Sequence, residues 1–351
     1  MPTTRVPLPT LLSYALVAFT IEFDNEAERR ADHRTSRHGG NHKNPWLVSL
    51  AMYSNCMRLV DQQGISAADL ICGARTAPNL SGMQRWGYLV VDPATKHVRA
   101  TPAGMQARAV WKPLFASVEV RWAQRFGEKP LGELRRSLVD AIAPLEIDLP
   151  QALPILHHGL ANTIAVREKA TASRAQIGKL PLSALLAKPL LAFALAYERN
   201  CELSLALGAN LLRLLDERRA PARDLPYRSG IAKEAIANAL SVLEKRGYVA
   251  IERAGASRVV HLTPKGTDGR DAHQRRLAAV EKGWRERFGA ERVDRLRAVL
   301  EEITLDGGTL SPRLLEGLTP HPENWRAAVA RAAELPHFPM VLHRGGYPDG
   351  S

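Results

Sequence analysis

The side chains best suited to contact another molecule are small or polar and recur at helical intervals in the segment 231–246: Lys233, Glu234, Ala237, Asn238 and Ser241. Residues three and four apart share one face of a helix, so the segment predicts a helix whose polar face fits a groove. A carboxamide pairs bidentately with adenine, which makes Asn238 the best candidate for reading a base. The alternative interpretation is an ordinary solvated face.

Two arginines flank the turn of a predicted β-hairpin. Residues 248–253 and 258–262 are rich in β-branched side chains, and Ala254-Gly255-Ala256-Ser257 between them is typical of a hairpin turn. Arg253 and Arg258 lie beside this turn, where basic side chains contact phosphates or enter a narrow minor groove. They are candidate DNA contacts, and ordinary surface arginines are the alternative.

Helices must position this polar face and hairpin. Leucine spacing predicts an amphipathic helix over residues 203–215, and a short helix is predicted at 222–226. The turn Arg228-Ser229-Gly230 then leads into the helix 231–246, so Arg228 and Ser229 join the candidate DNA contacts. After the hairpin, Thr263-Pro264-Lys265-Gly266 predicts the start of one long helical stretch that reaches about Ile303.

The same landmarks occur twice along the chain in the same order. Residues 16–26 resemble 190–200, and the further matched landmarks are Leu59-Val60-Asp61 with Leu214-Leu215-Asp216, Arg85-Trp86-Gly87-Tyr88 with Lys245-Arg246-Gly247-Tyr248, Thr101-Pro102-Ala103-Gly104 with Thr263-Pro264-Lys265-Gly266, and Trp122 with Trp284. Self-similarity of this kind indicates a duplication. We therefore predict a first repeat at 1–160, a helical linker at 161–179 and a second repeat at 180–351.

The first repeat is shorter between its matched landmarks, so the two predicted DNA-reading segments differ. Its segment covers residues 76–85, with Thr76 as the predicted helix cap, and its hairpin covers residues 90–99. The candidate contacts in this repeat are Arg75, Thr76, Asn79, Ser81, Gln84, Lys96 and Arg99. We expect the second repeat to read bases and the first to hold phosphates, which predicts an asymmetric target.

The second repeat resembles the MarR family of transcriptional regulators. The resemblance rests on Leu243-Glu244-Lys245-Arg246-Gly247-Tyr248-Val249 and on the run from Arg258 to Gly266, and it is weaker over the first repeat. It implies a mainly α fold with small β-hairpin wings (α+β), in which two tandem winged helix-turn-helix repeats and long dimerisation-type helices form a single-chain pseudo-dimer. It also implies a monomeric, ligand-responsive regulator that binds double-stranded DNA.

Composition agrees with a polyanionic partner. The chain has 351 residues with a formal net charge of +12 and a pI of 9.9, which attracts nucleic acid or an anionic membrane, although many arginine-rich proteins bind neither. The apolar segment 11–23 is short for a membrane span and is followed by Asp24, so it predicts a buried helix and no membrane partner.

Metal, cofactor and redox chemistry are not indicated. His33, His38 and His42 lie in a basic loop with loose spacing, so a solvated loop is the better interpretation. The three cysteines lack CxxC spacing, which predicts a reducing, cytoplasmic location without disulfides or zinc. No motif for a nucleophile, phosphate loop or metalloprotease occurs, so no enzyme is predicted.

Two alternatives to a regulator remain open. A sequence-independent architectural DNA-binding protein would use the same basic surface without base discrimination. A tandem winged-helix DNA glycosylase would need an acid-bearing pocket for a flipped base, and the sequence does not locate one.

Overall fold

The computed structural model describes residues 5–31, 50–153, 167–168, 173–199, 201–216, 218–255, 257–319 and 334–340. These residues form a mostly helical protein with small antiparallel sheets, in agreement with the predicted α+β class. The predicted histidine loop and most of the predicted linker lie outside the described residues. Within that linker, Arg174–Gly178 is a helix whose first turn is closed by a capping box between Ser173 and Gln176.

The first half contains seven α-helices and four short strands among its described residues, and a fifth strand lies in the linker. They are α1 (Leu8–Arg30), α2 (Leu50–Met52) continued by a π-helical turn (Tyr53–Met57), β1 (Ile65–Ser66), α3 (Ala67–Ala74), α4 (Leu80–Arg85), β2 (Leu89–Val91), β3 (His97–Ala100), α5 (Pro102–Trp111), α6 (Leu114–Phe126), α7 (Glu128–Ile142), β4 (Ile147–Asp148) and β5 (Arg167–Glu168).

The second half follows the linker helix α8 (Arg174–Gly178). Its elements are α9 (Leu182–Glu198), α10 (Leu205–Asn210), a 3-10 turn (Leu212–Leu214), β6 (Ala220–Pro221), a second 3-10 turn (Ala222–Asp224), α11 (Leu225–Ser229), α12 (Lys233–Lys245), β7 (Val249–Ala254), β8 (Ser257–Leu262), α13 (Pro264–Phe288), α14 (Ala290–Thr304), β9 (Leu305–Asp306), β10 (Thr309–Leu310) and α15 (Pro312–Glu316).

Both halves contain a three-stranded antiparallel sheet with the same strand order. The order is β1-β3-β2 in the first half and β6-β8-β7 in the second. The matched hairpins differ in length, because β7 and β8 have six residues each whereas β2 and β3 have three and four. The second hairpin therefore extends further from its half than the first.

The repeated Thr-Pro-x-Gly motif joins each hairpin to the next helix. The Thr101 hydroxyl accepts a hydrogen bond from Gly104 N at 3.0 Å, and the Thr263 hydroxyl accepts one from Gly266 N at 3.0 Å. The same hydroxyls donate to the carbonyls of Gly87 and Gly247, which precede the hairpins. Each threonine therefore caps a helix and ties it to the start of its hairpin.

Four helices, two from each half, pack together at the centre of the molecule. Helix α1 packs against α9 and α14, and helix α7 packs against the same two helices. The matched tryptophans pack onto the opening helix of their own half, with ring centroids 5.7 Å apart for Phe19 and Trp122 and 5.3 Å apart for Phe193 and Trp284. The apolar helix predicted at 11–23 is thus the buried centre of α1.

Buried acidic groups of α1 are paired within this core. Glu22 accepts hydrogen bonds from Trp122 Nε1 at 3.0 Å and from both terminal nitrogens of Arg125. Such pairing lets a carboxylate remain inside the protein, because protein donors replace the hydrogen bonds that water would make to it. No helix in the described part of the chain is long and apolar enough to cross a membrane.

Three predicted helices differ from those observed. The stretch 264–303 is two helices, because Gly289 adopts φ 94° and the chain folds back there, as it does at Gly127 with φ 97°. The predicted amphipathic helix over 203–215 is shorter, and every residue of Leu205–Asn210 is buried. The short helix predicted at 222–226 is a 3-10 turn followed by α11.

Candidate nucleic-acid interface

Helix α12 exposes the polar face that the sequence predicts. Its residues Lys233, Glu234, Ala237, Asn238 and Ser241 are exposed, as are Glu244 and Lys245 in its last turn. The opposite face is buried and consists of Ala235, Ile236, Ala239, Leu240 and Leu243. Helix α12 is therefore held by its apolar side, and the short side chains of Ala237, Asn238 and Ser241 lie on its exposed face.

The turn before α12 is fixed by Ser229 and Gly230. Ser229 is fully buried, its hydroxyl donates to Leu225 O at 2.7 Å, and it accepts from Ile231 N at 3.3 Å. The expectation that Ser229 contacts DNA is wrong, because the side chain is consumed by the turn. Arg228 is exposed and donates to Leu214 O at 2.9 Å, so only its remaining N–H groups point to solvent.

The second hairpin places two arginines side by side. Arg253 and Arg258 are directly opposite each other in the β7–β8 register, and both are exposed. Neither has an acidic partner among the residues that the structure describes. Like charges at directly opposite positions repel each other, so an anion shared by both guanidinium groups would stabilise the pair. We refer to the exposed face of α12 and these two arginines as the α12 surface.

The matched helix of the first half is capped by Asn79 rather than by the predicted Thr76. Asn79 Oδ1 accepts from Gly82 N at 2.9 Å and also from the Ser81 hydroxyl at 3.2 Å. Helix α4 therefore starts at Leu80 and has only six residues. Ser81 and Gln84 are exposed, Thr76 is half-buried, and the carboxamide oxygen of Asn79 is already occupied by the cap.

Arg75 does not face solvent, which overturns its assignment as a DNA contact. The residue is 8% exposed, and its guanidinium lies 2.5 Å from Asp148 Oδ2. Its backbone is left-handed, with φ 61°, at the end of α3. Arg75 thus occupies in the first half the place that Gly230 holds in the second. Its side chain connects the turn after α3 to the segment that follows α7.

The first hairpin has one acidic and two basic residues, as the second has, but here the acidic residue lies at the turn. Lys96 and Arg99 are exposed, as predicted. Between them and β2 lies Asp92, whose pKa is lowered because the backbone N–H groups of Thr95 and Ala94 donate to its carboxylate. The carboxylate therefore stays ionised at the turn and offsets part of the positive charge of Lys96 and Arg99.

Sequence reasoning missed an exposed tyrosine and a cluster of arginines before α12. Tyr227 is 62% exposed, although aromatic side chains of this size are usually buried. Arg218, Arg219 and Arg223 are exposed in the segment just before it, and Arg219 pairs with Glu252 of β7. The density of arginine between residues 218 and 228 is the sequence feature that indicates this basic edge.

Metal-ligating side chains do not cluster in the described part of the chain, where no group of three of them occurs. Burial raises the pKa of the Cys56 thiol to about 12, so it stays protonated and unreactive. A cleft between the halves, lined by Leu16, Thr20, Ser54, Gln151, Ser183 and Ala187 among others, has no acidic side chain in its lining.

The α12 surface is thus the best-formed candidate site of the described residues. It combines an exposed helix face of polar and small side chains with two adjacent arginines, and α12 packs directly against strand β7. Comparisons of this chain with protein-family profiles, with curated proteins and with solved structures gave no match.

Proposed function

We propose that the protein is a sequence-specific transcriptional regulator that binds double-stranded DNA as a single-chain pseudo-dimer. In this proposal each half is a winged helix-turn-helix unit, with α3–α4 and α11–α12 as the helix pairs and the two hairpins as wings. The shared strand order, the two equivalent Thr-Pro-x-Gly junctions and the central packing of α1, α7, α9 and α14 support it.

The observation that carries the proposal is the Arg253–Arg258 pair beside the polar face of α12. Two opposed guanidinium groups without an acidic partner in the described residues fit a phosphate backbone, which supplies closely spaced anions. Helix α12 has thirteen residues and so spans about 20 Å, enough to lie along a major groove. Asn238 is exposed near the middle of that helix and is the proposed adenine reader.

The two units are proposed to act unequally. Helix α4 spans only about 9 Å at 1.5 Å per residue, and the Asn79 oxygen is committed to its cap. The first unit then contributes phosphate contacts through Lys96 and Arg99, while the second reads bases. The target is accordingly asymmetric, and a palindromic footprint protected equally on both sides would contradict this proposal.

The test is selection of DNA fragments from a random pool at about 150 mM salt, because affinities depend steeply on ionic strength. We expect one enriched motif. Asn238→Ala should relax selection at one base position and cost about 1–3 kcal/mol, while Arg258→Ala should weaken binding to all sequences and reduce the salt slope by about 1. Arg292→Ala removes an exposed charge from α14 and is the matched control.

The other outcomes identify the alternatives. Uniform weak binding without an enriched motif indicates an architectural DNA-binding protein, and release of a free base indicates a glycosylase. Absence of binding to any fragment overturns the proposal.

The cleft between the halves is the proposed place for a small-molecule effector, and a cytoplasmic location follows from the proposed role.

A further inference from the structure

The segment 334–340, here called the C-terminal strap, lies across the second half and reaches the first. Leu335, Phe338 and Met340 are buried, so the strap is part of the core rather than a loose end. Its polar contacts fall into two groups. One group binds Asn210 and Arg213 of the second half, and the other binds helix α1 of the opposite half.

The contacts with the second half hold the strap against the base of the α12 surface. Asn210 Nδ2 donates to Phe338 O at 2.7 Å, and Phe338 N donates back to Asn210 Oδ1 at 3.2 Å. A Cβ on Gly230 would lie only 2.2 Å from the carbonyl oxygen of Glu334. The strap backbone therefore touches the turn between α11 and α12 directly, with no side chain in between.

The contacts with α1 come from the other half of the molecule. The Ser13 hydroxyl donates to Pro336 O at 2.7 Å. The Tyr14 hydroxyl lies 2.8 Å from His337 Nε2, and the two rings meet edge to face with centroids 5.4 Å apart. His337 is also 2.7 Å from Glu334, which pairs with Arg213 at 3.2 Å. A continuous polar chain thus connects α1 with the second unit.

The first half has a matching arrangement with different side chains. After α7, the Leu149 carbonyl accepts from Lys188 of α9, and Asn55 Nδ2 donates to Leu153 O at 2.9 Å. Asp148 binds Arg75 at the turn before α4. Each unit is therefore held at its turn by a segment that also grips the opening helix of the opposite half.

We propose that Tyr14 and His337 are positioning residues that fix α12 relative to the first unit, and so set the spacing of the two DNA segments that the chain engages. The inference rests on the proposed function. Neither residue is exposed on the α12 surface, so they act through the strap and the Gly230 turn. Loosening this link leaves α12 intact but lets its distance from the first hairpin vary.

The test compares Tyr14→Phe with the matched control Tyr197→Phe in the full-length chain. The Tyr197 hydroxyl lies 2.8 Å from His273 Nδ1, and the ring centroids are 5.5 Å apart, so the control removes an equivalent buried bond. That bond, however, joins α9 to α13 within the second half. Three duplexes serve as probes: the selected site, the same site with one base pair inserted at its centre, and a shortened site with only the segment that α12 reads.

We expect Tyr14→Phe to lower affinity for the selected site about fivefold, as the loss of a buried hydrogen bond allows. Discrimination against the inserted base pair should fall by a similar factor, whereas affinity for the shortened site should not change. Tyr197→Phe should leave the ratio of the affinities for the three duplexes as it is in the wild type. Ser13→Ala, which removes the bond to Pro336, should reproduce the effect of Tyr14→Phe.

Two results overturn the inference. The first is that Tyr14→Phe and Ser13→Ala keep the wild-type ratio of affinities for the three duplexes. The second is that they lower all three affinities by the same factor. Either result would mean that the strap serves stability alone. Failure of the proposed function has a different pattern, because the wild-type chain itself then selects no site. Circular dichroism melting of each variant separates unfolding from a change in positioning.

Discussion

His273 is a buried base at a position where the first half has an aromatic ring. It is 3% exposed and lies 2.8 Å from the Tyr197 hydroxyl, and its counterpart in the repeat is Trp111. Burial lowers the pKa of His273 to about 4, with smaller contributions from His337 and Arg213. The folded protein therefore keeps this imidazole neutral at a pH where the unfolded chain protonates it.

The stability of the fold should fall with acid because of this group. The folded-state pKa lies below the unfolded value, so the contribution of His273 is intact above about pH 6.5 and is lost as the pH falls toward 4. Between pH 7 and pH 5 the loss should be about 2 kcal/mol of unfolding free energy. Urea titrations at the two pH values measure it.

The control for this prediction is His273→Gln, which keeps a polar partner for Tyr197 but does not titrate. Its unfolding free energy should fall less between pH 7 and pH 5 than that of the wild type. Burial also lowers the pKa of His337, so a smaller acid sensitivity remains in the variant. Equal losses in both proteins would mean that His273 does not carry the effect.

At the scale of elements, the Thr-Pro-x-Gly junction decides how a hairpin docks on its helix. The proline stands at the first helical position, where its lack of an N–H costs no hydrogen bond. The glycine lies beneath the carbonyl of the tyrosine that precedes the hairpin. A Cβ on Gly104 would be 2.0 Å from Tyr88 O, and one on Gly266 would be 1.9 Å from Tyr248 O. Only glycine permits this approach, which explains why the motif occurs in both halves.

Gly266→Ala should therefore destabilise the second unit by about 2 kcal/mol or more, because the backbone must move to admit the methyl group. Gly283→Ala in the same helix is the matched control, since its Cβ would meet no atom within 4 Å. Alanine there should stabilise the helix by about 0.5–1 kcal/mol. Thermal unfolding of both variants checks the pair, and equal shifts would contradict the close contact at Gly266.

Sequence patterns predicted some elements of this fold and missed others for identifiable reasons. The polar face of α12 and the β7–β8 hairpin follow from local periodicity and turn composition, so both were predicted. The break at Gly289 was missed, because apolar residues continue at helical spacing on both sides of it. What ends α13 there is a backbone with φ 94°, which lets α14 fold back.

At the scale of the whole molecule, the matched central helices of the two halves pack against each other. Helix α1 packs on α9, its match in the repeat, and α7 packs on α14, which are also matched. An interface of this symmetry would join two chains in an ordinary homodimer, but here it is closed within one chain.

We therefore expect a monomer of 38.6 kDa in solution. Sedimentation equilibrium over about 1–50 μM, the concentration range in which typical protein pairs associate, measures the mass. The mass should not depend on the protein concentration. Addition of the selected DNA should raise it by the mass of one duplex per chain. A mass of two chains would show that the internal contacts leave a second interface open.

The sequence by itself determined what depends on neighbours along the chain: the landmarks shared by the two halves, the helix start at Thr263, the polar face of α12 and the hairpin that bears Arg253 and Arg258. Tertiary structure alone decided the burial of Arg75 and Ser229, and the crossing of the strap from Gly230 to Tyr14. Tyr14 and His337 are separated by 323 residues, and periodicity encodes no contact at that distance. Which polar groups the core consumes, and which remain exposed, was therefore fixed only when the two halves packed together.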